Sequence, residues 1–250
     1  MNDAWQNKIG LISGGTSGIG LATAKQLLAA GASVFIVGRS SQRAEQALAE
    51  LSIYGDRVQF LQADLSRSAE CAALGAYLTK KAVQLDFLVN NAGCYQEKRL
   101  ENITQEDYDY MFTQNIQSVI FLTKAVLPLL KAPGAIVNIA SDAGIGGNYG
   151  CPLYSAAKGA VVAFTRALAM DLAPHIRVNC VCPGDVDTPL VAKQLAEGGY
   201  TKEDMAAVYP LGRIGRPEEI AQVICGILSV ANSFMTGAII PVDGGLTAKG

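Results

Sequence analysis

The stretch Lys8-Ile9-Gly10-Leu11-Ile12-Ser13-Gly14-Gly15-Thr16-Ser17-Gly18-Ile19-Gly20, followed by Leu21 to Ala30, decides how this chain folds. Lys8 to Ser13 is a short apolar run, the form of a buried strand. Gly14 to Gly20 is a glycine-rich turn. Leu21 to Ala30 has helical content and ends at Gly31. Ser33 to Val37 is a second apolar strand. Strand, glycine turn, helix and strand in that order form the setting for a dinucleotide site. Tight backbone lets a pyrophosphate approach a helix N-terminus, whose free N–H groups and dipole favour anions. Without those flanks a glycine run carries little information.

The alternation continues outward. Helical patterns cover Ser41 to Leu51, Glu70 to Lys80 and Thr104 to Pro128. Thr104 with Asp107 resembles a capping box, Asp standing for the usual Glu. Strands fall at Arg57 to Leu61, Leu85 to Val89, Ala135 to Ala140, Ile176 to Val181 and Ala238 to Pro241. Arg216-Pro217-Glu218-Glu219 opens the last helix, with Pro in the first turn and acids after it. Short strands alternating with helices predict an α/β, single-domain Rossmann-type fold over 1–250. The expected core is a seven-stranded parallel sheet with helices on both faces, its ligand lying where the strand order reverses. Ile220 to Val242 carries no charge and is long enough for a membrane span. Gln222, Asn232, Ser233, Gly237 and Pro241 divide it better into helix, turn and strand.

A second stretch carries chemistry. Ser141 to Lys158 follows the Ala135–Ala140 strand with a glycine-rich loop, and Tyr154 opens a helical pattern that runs to Met170 and stops at Pro174. Tyr154 and Lys158 lie four apart and share a helix face. A free phenol has a pKa of about 10, and a neighbouring ammonium lowers it. Such a pair can pass a proton to or from an alkoxide. Ser141, at a strand end on the same rim, can hold that oxygen. Taken alone the spacing is common on helices. Asn115 sits mid-helix, where an amide is mildly unfavourable, so it is either a surface residue or one with a task.

Composition bounds the rest. The 250 residues are 50% hydrophobic and 17% charged, enough for a core and against disorder. The net charge of -2 offers no field for nucleic acid or an anionic membrane. Cys71, Cys94, Cys151, Cys180, Cys182 and Cys225 form no Cys-x-x-Cys pair, and His175 is the sole histidine, so no zinc set or other metal site is expected. Cys180 and Cys182 alternate along a strand and point to one face. Thiols of this kind suit a reducing cytoplasm. Met1 to Lys8 has no signal-peptide form.

Over nearly its full length the chain resembles the classical short-chain dehydrogenase/reductases. The resemblance rests on Gly14, Gly18 and Gly20, on Asn90-Asn91-Ala92-Gly93, on Ser141 with Tyr154 and Lys158, and on Pro183-Gly184. It implies a catalytic set of Asn115, Ser141, Tyr154 and Lys158, with Asn115 holding a water that links Lys158 to solvent. It implies a nicotinamide cofactor held by the turn residues Gly14, Thr16, Ser17, Gly18, Ile19 and Gly20. Asp64 and Leu65 would meet the adenine. Asn90, Ala92 and Gly93 would border the cofactor, with Asn90 tied to it. Pro183, Gly184, Val186 and Thr188 would take the nicotinamide side, and Tyr154 and Lys158 would touch the ribose.

After the second strand comes Val37-Gly38-Arg39-Ser40, where an Asp would accept from the adenosine ribose and repel a phosphate. Arg offers a planar fork suited to phosphate. Arg39 with Ser40 therefore favours NADP(H); if Arg39 only stacks on adenine, NAD(H) is the alternative. The chain broadly resembles the 3-oxoacyl-carrier-protein reductases. The expected partner is a small carbonyl or alcohol, with an acyl thioester, sugar or sterol among the options. The family resemblance also implies a homotetramer. Cys94, Tyr95, Ile145, Tyr149, Cys151 and Tyr209 are expected to line the pocket under a lid at 188–210. Other readings are an NAD-dependent alcohol dehydrogenase and a catalytically silent dinucleotide-binding regulator.

Overall fold

In the computed structural model, which describes residues 5–249, β1 (Ile9–Ser13) leads through the glycine turn into α1 (Gly18–Ala29). β2 (Ser33–Gly38) returns parallel to β1, with Leu11 opposite Phe35. The expectations for Met1 to Lys8 and for the ends of the 1–250 span fall partly outside the described residues, at 1–4 and 250. The remaining elements follow in alternation: α2 (Ser41–Glu50), β3 (Val58–Gln62), α3 (Ser68–Lys80) and β4 (Leu85–Asn90). Then come α4 (Gln105–Phe112), α5 (Ser118–Val126), β5 (Leu130–Ile139), the single turn α6 (Ala143–Gly146) and α7 (Pro152–Leu172). β6 (Ile176–Pro183), α8 (Pro189–Gly198), α9 (Lys202–Ala207), α10 (Pro217–Leu228) and β7 (Ile239–Val242) complete the chain.

All seven strands are parallel, in the order β3-β2-β1-β4-β5-β6-β7. The order reverses between β1 and β4, which leaves a crevice at their C-terminal ends. Both sheet faces are covered, so each strand buries alternate residues in two different cores. Ile12, Ile36, Val89 and Val137 pack with Leu27 and Leu28 of α1 and Ile220 and Ile224 of α10. Their neighbours Leu11, Val37, Leu88 and Ile136 pack with Leu74 and Leu78 of α3 and Leu122 and Val126 of α5.

A buried polar chain runs through the second layer. Asn90 Nδ2 donates to Thr123 Oγ1 at 2.9 Å and to Asn138 Oδ1 at 2.8 Å. Asn138 Nδ2 donates to Thr165 Oγ1 at 2.9 Å. Asn90 and Asn138 are register partners on β4 and β5, so these bonds join two strands to α5 and α7. Asn138→Ala removes one of two partners from the Asn90 amide, which keeps Thr123, and from the Thr165 hydroxyl, which still donates to Val161 O at 2.8 Å. Urea unfolding of this variant is expected to show a loss of about 1–3 kcal/mol from the two lost hydrogen bonds; a change within ~0.5 kcal/mol would contradict the account.

Two elements differ from the sequence reading, and a third run divides as expected. β5 starts at Leu130, five residues before the expected Ala135, and its pairing with β4 is irregular between Leu130 and Ala135. The pattern from Thr104 to Pro128 is one path with a change of pitch: α4, capped by Thr104 and Asp107, passes through a π turn at Thr113–Gln117 into α5. Asn115 lies inside that π turn. The uncharged run Ile220 to Val242 divides into α10, a 3-10 turn at Val230–Asn232 and β7. Among the described residues no helix is long and apolar enough to cross a membrane.

Candidate active site

The ends of β1, β2, β4, β5 and β6 open onto one cleft of about 350 Å³. Gly14, Thr16, Ser17, Gly18 and Ile19 line it. Gly20 does not. A Cβ there would lie 2.3 Å from Gly14 O, so this glycine lets α1 close onto the turn. α1 starts with no side-chain cap from Ser17 and no acid in its first turn. Its first N–H groups are left for another acceptor. An uncapped, acid-free helix start behind a tight turn fits a dinucleotide pyrophosphate.

Arg39 and Ser40 line the same cleft beyond β2, and Arg43 joins them. The sequence reading missed Arg43. Its signal was Ser40 as an N-cap: Ser40 Oγ accepts from Arg43 N at 3.2 Å, which turns Arg43 into the first turn of α2. Asp64 and Leu65 also line this end, with Asp64 Oδ1 accepting from Ser66 N and Oγ at 3.1 and 2.7 Å. Ala92, Gly93, Pro183, Gly184, Val186 and Thr188 line the opposite wall. A parallel bridge joins Val186 to Gly215 through Asp187 N and Asp185 O, so the peptide groups of Val186 itself stay out of it.

Asn90 turns its side chain away from the cleft. It is 1% exposed, spends its amide N–H groups inside the sheet and does not line the cleft. Asn91 lines it instead, with Nδ2 donating to Ser13 O at 3.0 Å and Gly14 O at 3.2 Å. β4 ends at Asn90, so its side chain still follows the strand's inward alternation.

Ser141, Tyr154 and Lys158 meet on the cleft wall. Ser141 follows the end of β5, and Tyr154 and Lys158 share a face of α7. Ser141 Oγ donates to Asp142 Oδ1 at 2.7 Å, and Ala143 N donates to both Ser141 Oγ and Asp142 Oδ1. Asp142, which the sequence reading passed over, thus orients the serine. Lys158 Nζ donates to Ile139 O at 3.1 Å and lies 5.8 Å from the Tyr154 ring centre. Tyr95 packs edge-on against Tyr154, with ring centres 4.9 Å apart.

Asn115 sits behind this wall. Its Oδ1 accepts from Cys94 N at 3.2 Å, and its Nδ2 donates to Met111 O at 3.0 Å. A Cβ on Gly93 would fall 2.8 Å from Asn115 Oδ1 and 3.2 Å from Lys158 Nζ, so glycine permits this contact. The side-chain amide is therefore committed to holding the Gly93–Cys94 segment.

Burial sets the acid–base character. It pushes the Tyr154 phenol above its ordinary value, with Asp142 adding to the rise and Ser141 opposing it. The rise comes from the apolar wall around the hydroxyl, while Lys158 is held at a carbonyl. Burial also pushes Lys158 down to about 8.

The expected pocket residues divide. Cys94 and Tyr95 line the cleft. Ile145 and Tyr149 point to solvent, and Tyr149, 81% exposed, is bonded through its hydroxyl to Arg99 Nη2 at 2.7 Å. Cys151 is buried as the residue preceding α7. Tyr209 is also buried: its hydroxyl donates to Asp185 Oδ2 at 2.8 Å and accepts from Asp185 N at 2.7 Å. These four do not line the cleft. Asp142, Asn148, Asp185, Leu190, Val191 and Gln194 do.

A doubly wound parallel sheet, an uncapped helix behind a glycine turn, and a phenol and ammonium on the adjacent rim together define a dinucleotide-binding oxidoreductase layout. A family model described as Enoyl-(Acyl carrier protein) reductase matches residues 14–247. Cyclopentanol dehydrogenase of Comamonas testosteroni is 36% identical over 246 residues, 97% of this chain and 98% of its own. The 3-oxoacyl-[acyl-carrier-protein] reductase FabG of Chlamydia muridarum is 35% identical over 250 residues, 98% of this chain and 100% of its own. The solved RhlG/NADP active-site complex of Pseudomonas aeruginosa superposes with a TM-score of 0.91 at 34% identity, covering 98% of this chain and 99% of that one. The chain belongs to the short-chain dehydrogenase/reductase family, whose members bind a nicotinamide dinucleotide.

Proposed function

We propose that the protein is an NADP(H)-dependent oxidoreductase that interconverts a ketone and a secondary alcohol. One observation carries the reading: Ser141, Tyr154 and Lys158 converge on a cleft whose other end presents Arg39 and Arg43. The relatives' names divide between a small alcohol and a 3-oxoacyl substrate, and both reactions share this chemistry. Two exposed guanidinium groups favour the phosphate-bearing cofactor, in keeping with the NADP named for the RhlG complex. When bound, the cofactor supplies or accepts a hydride.

The chain's own residues do the rest. Ser141, held by Asp142, accepts from a substrate alcohol through its free lone pair, or turns its one proton from Asp142 to a ketone oxygen. Tyr154 stays protonated at neutral pH and gives its proton to the forming alkoxide. Lys158 lies near enough for its charge to stabilise the phenolate that results. Asn115 is a positioning residue that fixes the segment beneath Lys158. Leu190, Val191 and Gln194 on α8 cover the cleft, so 188–210 serves as a lid, with Tyr209 anchoring its end to Asp185. The reading keeps a cytoplasmic homotetramer, in keeping with the exposed Met170 on α7.

The test follows from the lysine. Lys158 is charged below about 8 and loses its proton above that value, while Tyr154 keeps its own. The kcat/KM for ketone reduction with NADPH should be flat below that pH and fall above it with one-proton slope. A rate that climbs with pH in the reductive direction would remove the proposed roles.

A further inference from the structure

The cleft has a charge gradient that the proposed chemistry does not use. Arg39 and Arg43 stand at one end. Beyond Ser141 and Tyr154 at the other end stand Asp142 and Asp185. Each follows a strand end, and Asp142 N donates to Pro183 O at 2.9 Å, so the two segments run side by side. Asp142 is more than nine-tenths buried. Its Oδ1 takes Ser141 and Ala143, and its Oδ2 takes no donor from the described residues. Asp185 mirrors this: Oδ2 takes Tyr209, and Oδ1 takes no donor among the described residues. Neither carboxylate is in an ion pair with a described residue. Lys158, the cation of this wall, is bonded to Ile139 O.

Two carboxylates with an open oxygen each, set beside the serine that holds the reacting oxygen, have a chemical meaning. An ionised carboxyl only accepts hydrogen bonds, and a protonated one still wants a polar partner. A hydrocarbon laid against either group removes its water and returns nothing. Burial holds both carboxyls above their ordinary range, with Asp243 adding to the rise at Asp142 and Asp142 to that at Asp185, and a donor-bearing ligand would relieve it.

We propose that Asp142 and Asp185 determine specificity, selecting a substrate that carries hydroxyl or ammonium donors next to its reacting carbon over a plain alkyl or acyl chain. The proposal rests on the ketone–alcohol reading above and narrows it. A hydroxyl and an ammonium share the donor chemistry, and matched pairs separate them. Dihydroxyacetone and diethyl ketone differ only by hydroxyl against methyl, and isopropanolamine and sec-butanol by ammonium against methyl.

The experiment measures kcat/KM for all four, reducing the ketones with NADPH and oxidising the alcohols with NADP+. The donor-bearing member of at least one pair should be favoured by about 10–100-fold, the value of a hydrogen bond to a charged group. The pair showing it identifies hydroxyl or ammonium as the recognised donor. Asp185→Leu should bring that ratio near one. Asp185→Asn, which keeps an acceptor for Tyr209, guards against misfolding and should lower the ratio more for the ammonium pair. Asp142→Asn keeps the acceptor for Ser141 and should lower the ratio likewise. A wild-type ratio near or below one in both pairs, or a preference that all three variants leave intact, overturns the proposal while the oxidoreductase reading stands. No turnover of any of the four likewise overturns the proposal, while the oxidoreductase reading is tested separately by its pH profile.

Discussion

Replacing Tyr154 by Phe is expected to lower turnover by about 10²–10⁴-fold, the usual contribution of a positioned general acid, while NADPH affinity stays within about twofold. The asymmetry follows from the site. The Tyr154 hydroxyl is the group that Ser141, Asp142 and Lys158 surround, and the ring packs against Tyr95. Phe keeps the ring, the edge-on contact and most of the packing, so fold and cleft survive. It removes only the proton that must reach the alkoxide. Steady-state turnover with cofactor binding followed by NADPH fluorescence separates the two effects. Loss of cofactor binding in step with turnover would assign Tyr154 to structure.

Arg39→Asp should shift the ratio of kcat/KM for NADPH over NADH by about 100-fold or more toward NADH. Removing a charge-assisted bond to a phosphate costs about 1.5–3 kcal/mol, and the new carboxylate repels the phosphate while accepting from a ribose. Arg39 is exposed at the end of β2 and its side chain makes no ion pair within the described chain, so the substitution should leave stability nearly unchanged. Arg43 shares this end of the cleft, so part of the NADPH preference should persist until both are replaced. An unchanged ratio in the double variant would mean that these guanidinium groups only flank the adenine, and NAD(H) would become the better reading.

Much of this molecule was legible in local pattern. The glycine turn and its flanking strands specify their own geometry, because Gly14 takes a positive φ and Gly20 allows a backbone contact that any Cβ would block. Tyr154 and Lys158 fall on one helix face by spacing alone. The sheet follows from apolar runs too short for helices. What escaped depends on where an element ends or what covers it. The choice between Asn90 and Asn91 turns on the last inward residue of β4, a difference of one position that reverses the side chain. The π turn around Asn115 is invisible to periodicity, since an inserted residue changes pitch and leaves apolar spacing nearly intact. Ile145, Tyr149 and Cys151 lie in or beside a loop whose path no repeat dictates, and only one wall of that loop meets the cleft. Burial of the Tyr154 hydroxyl, which raises its pKa, comes from elements far apart in sequence. Asp142 and Asp185 were read past as loop residues, although an acid immediately after a strand end is costly to bury without a purpose.

Rapid mixing of NADPH-loaded protein with dihydroxyacetone and diethyl ketone, in wild type and in Tyr154→Phe, tests the central claim most directly. The account predicts equal NADPH occupancy in both proteins, a single-turnover loss of NADPH absorbance in wild type with one alcohol formed per cofactor, and a phase at least about 100-fold slower in the variant. Equal rates of NADPH oxidation in the two proteins would contradict it.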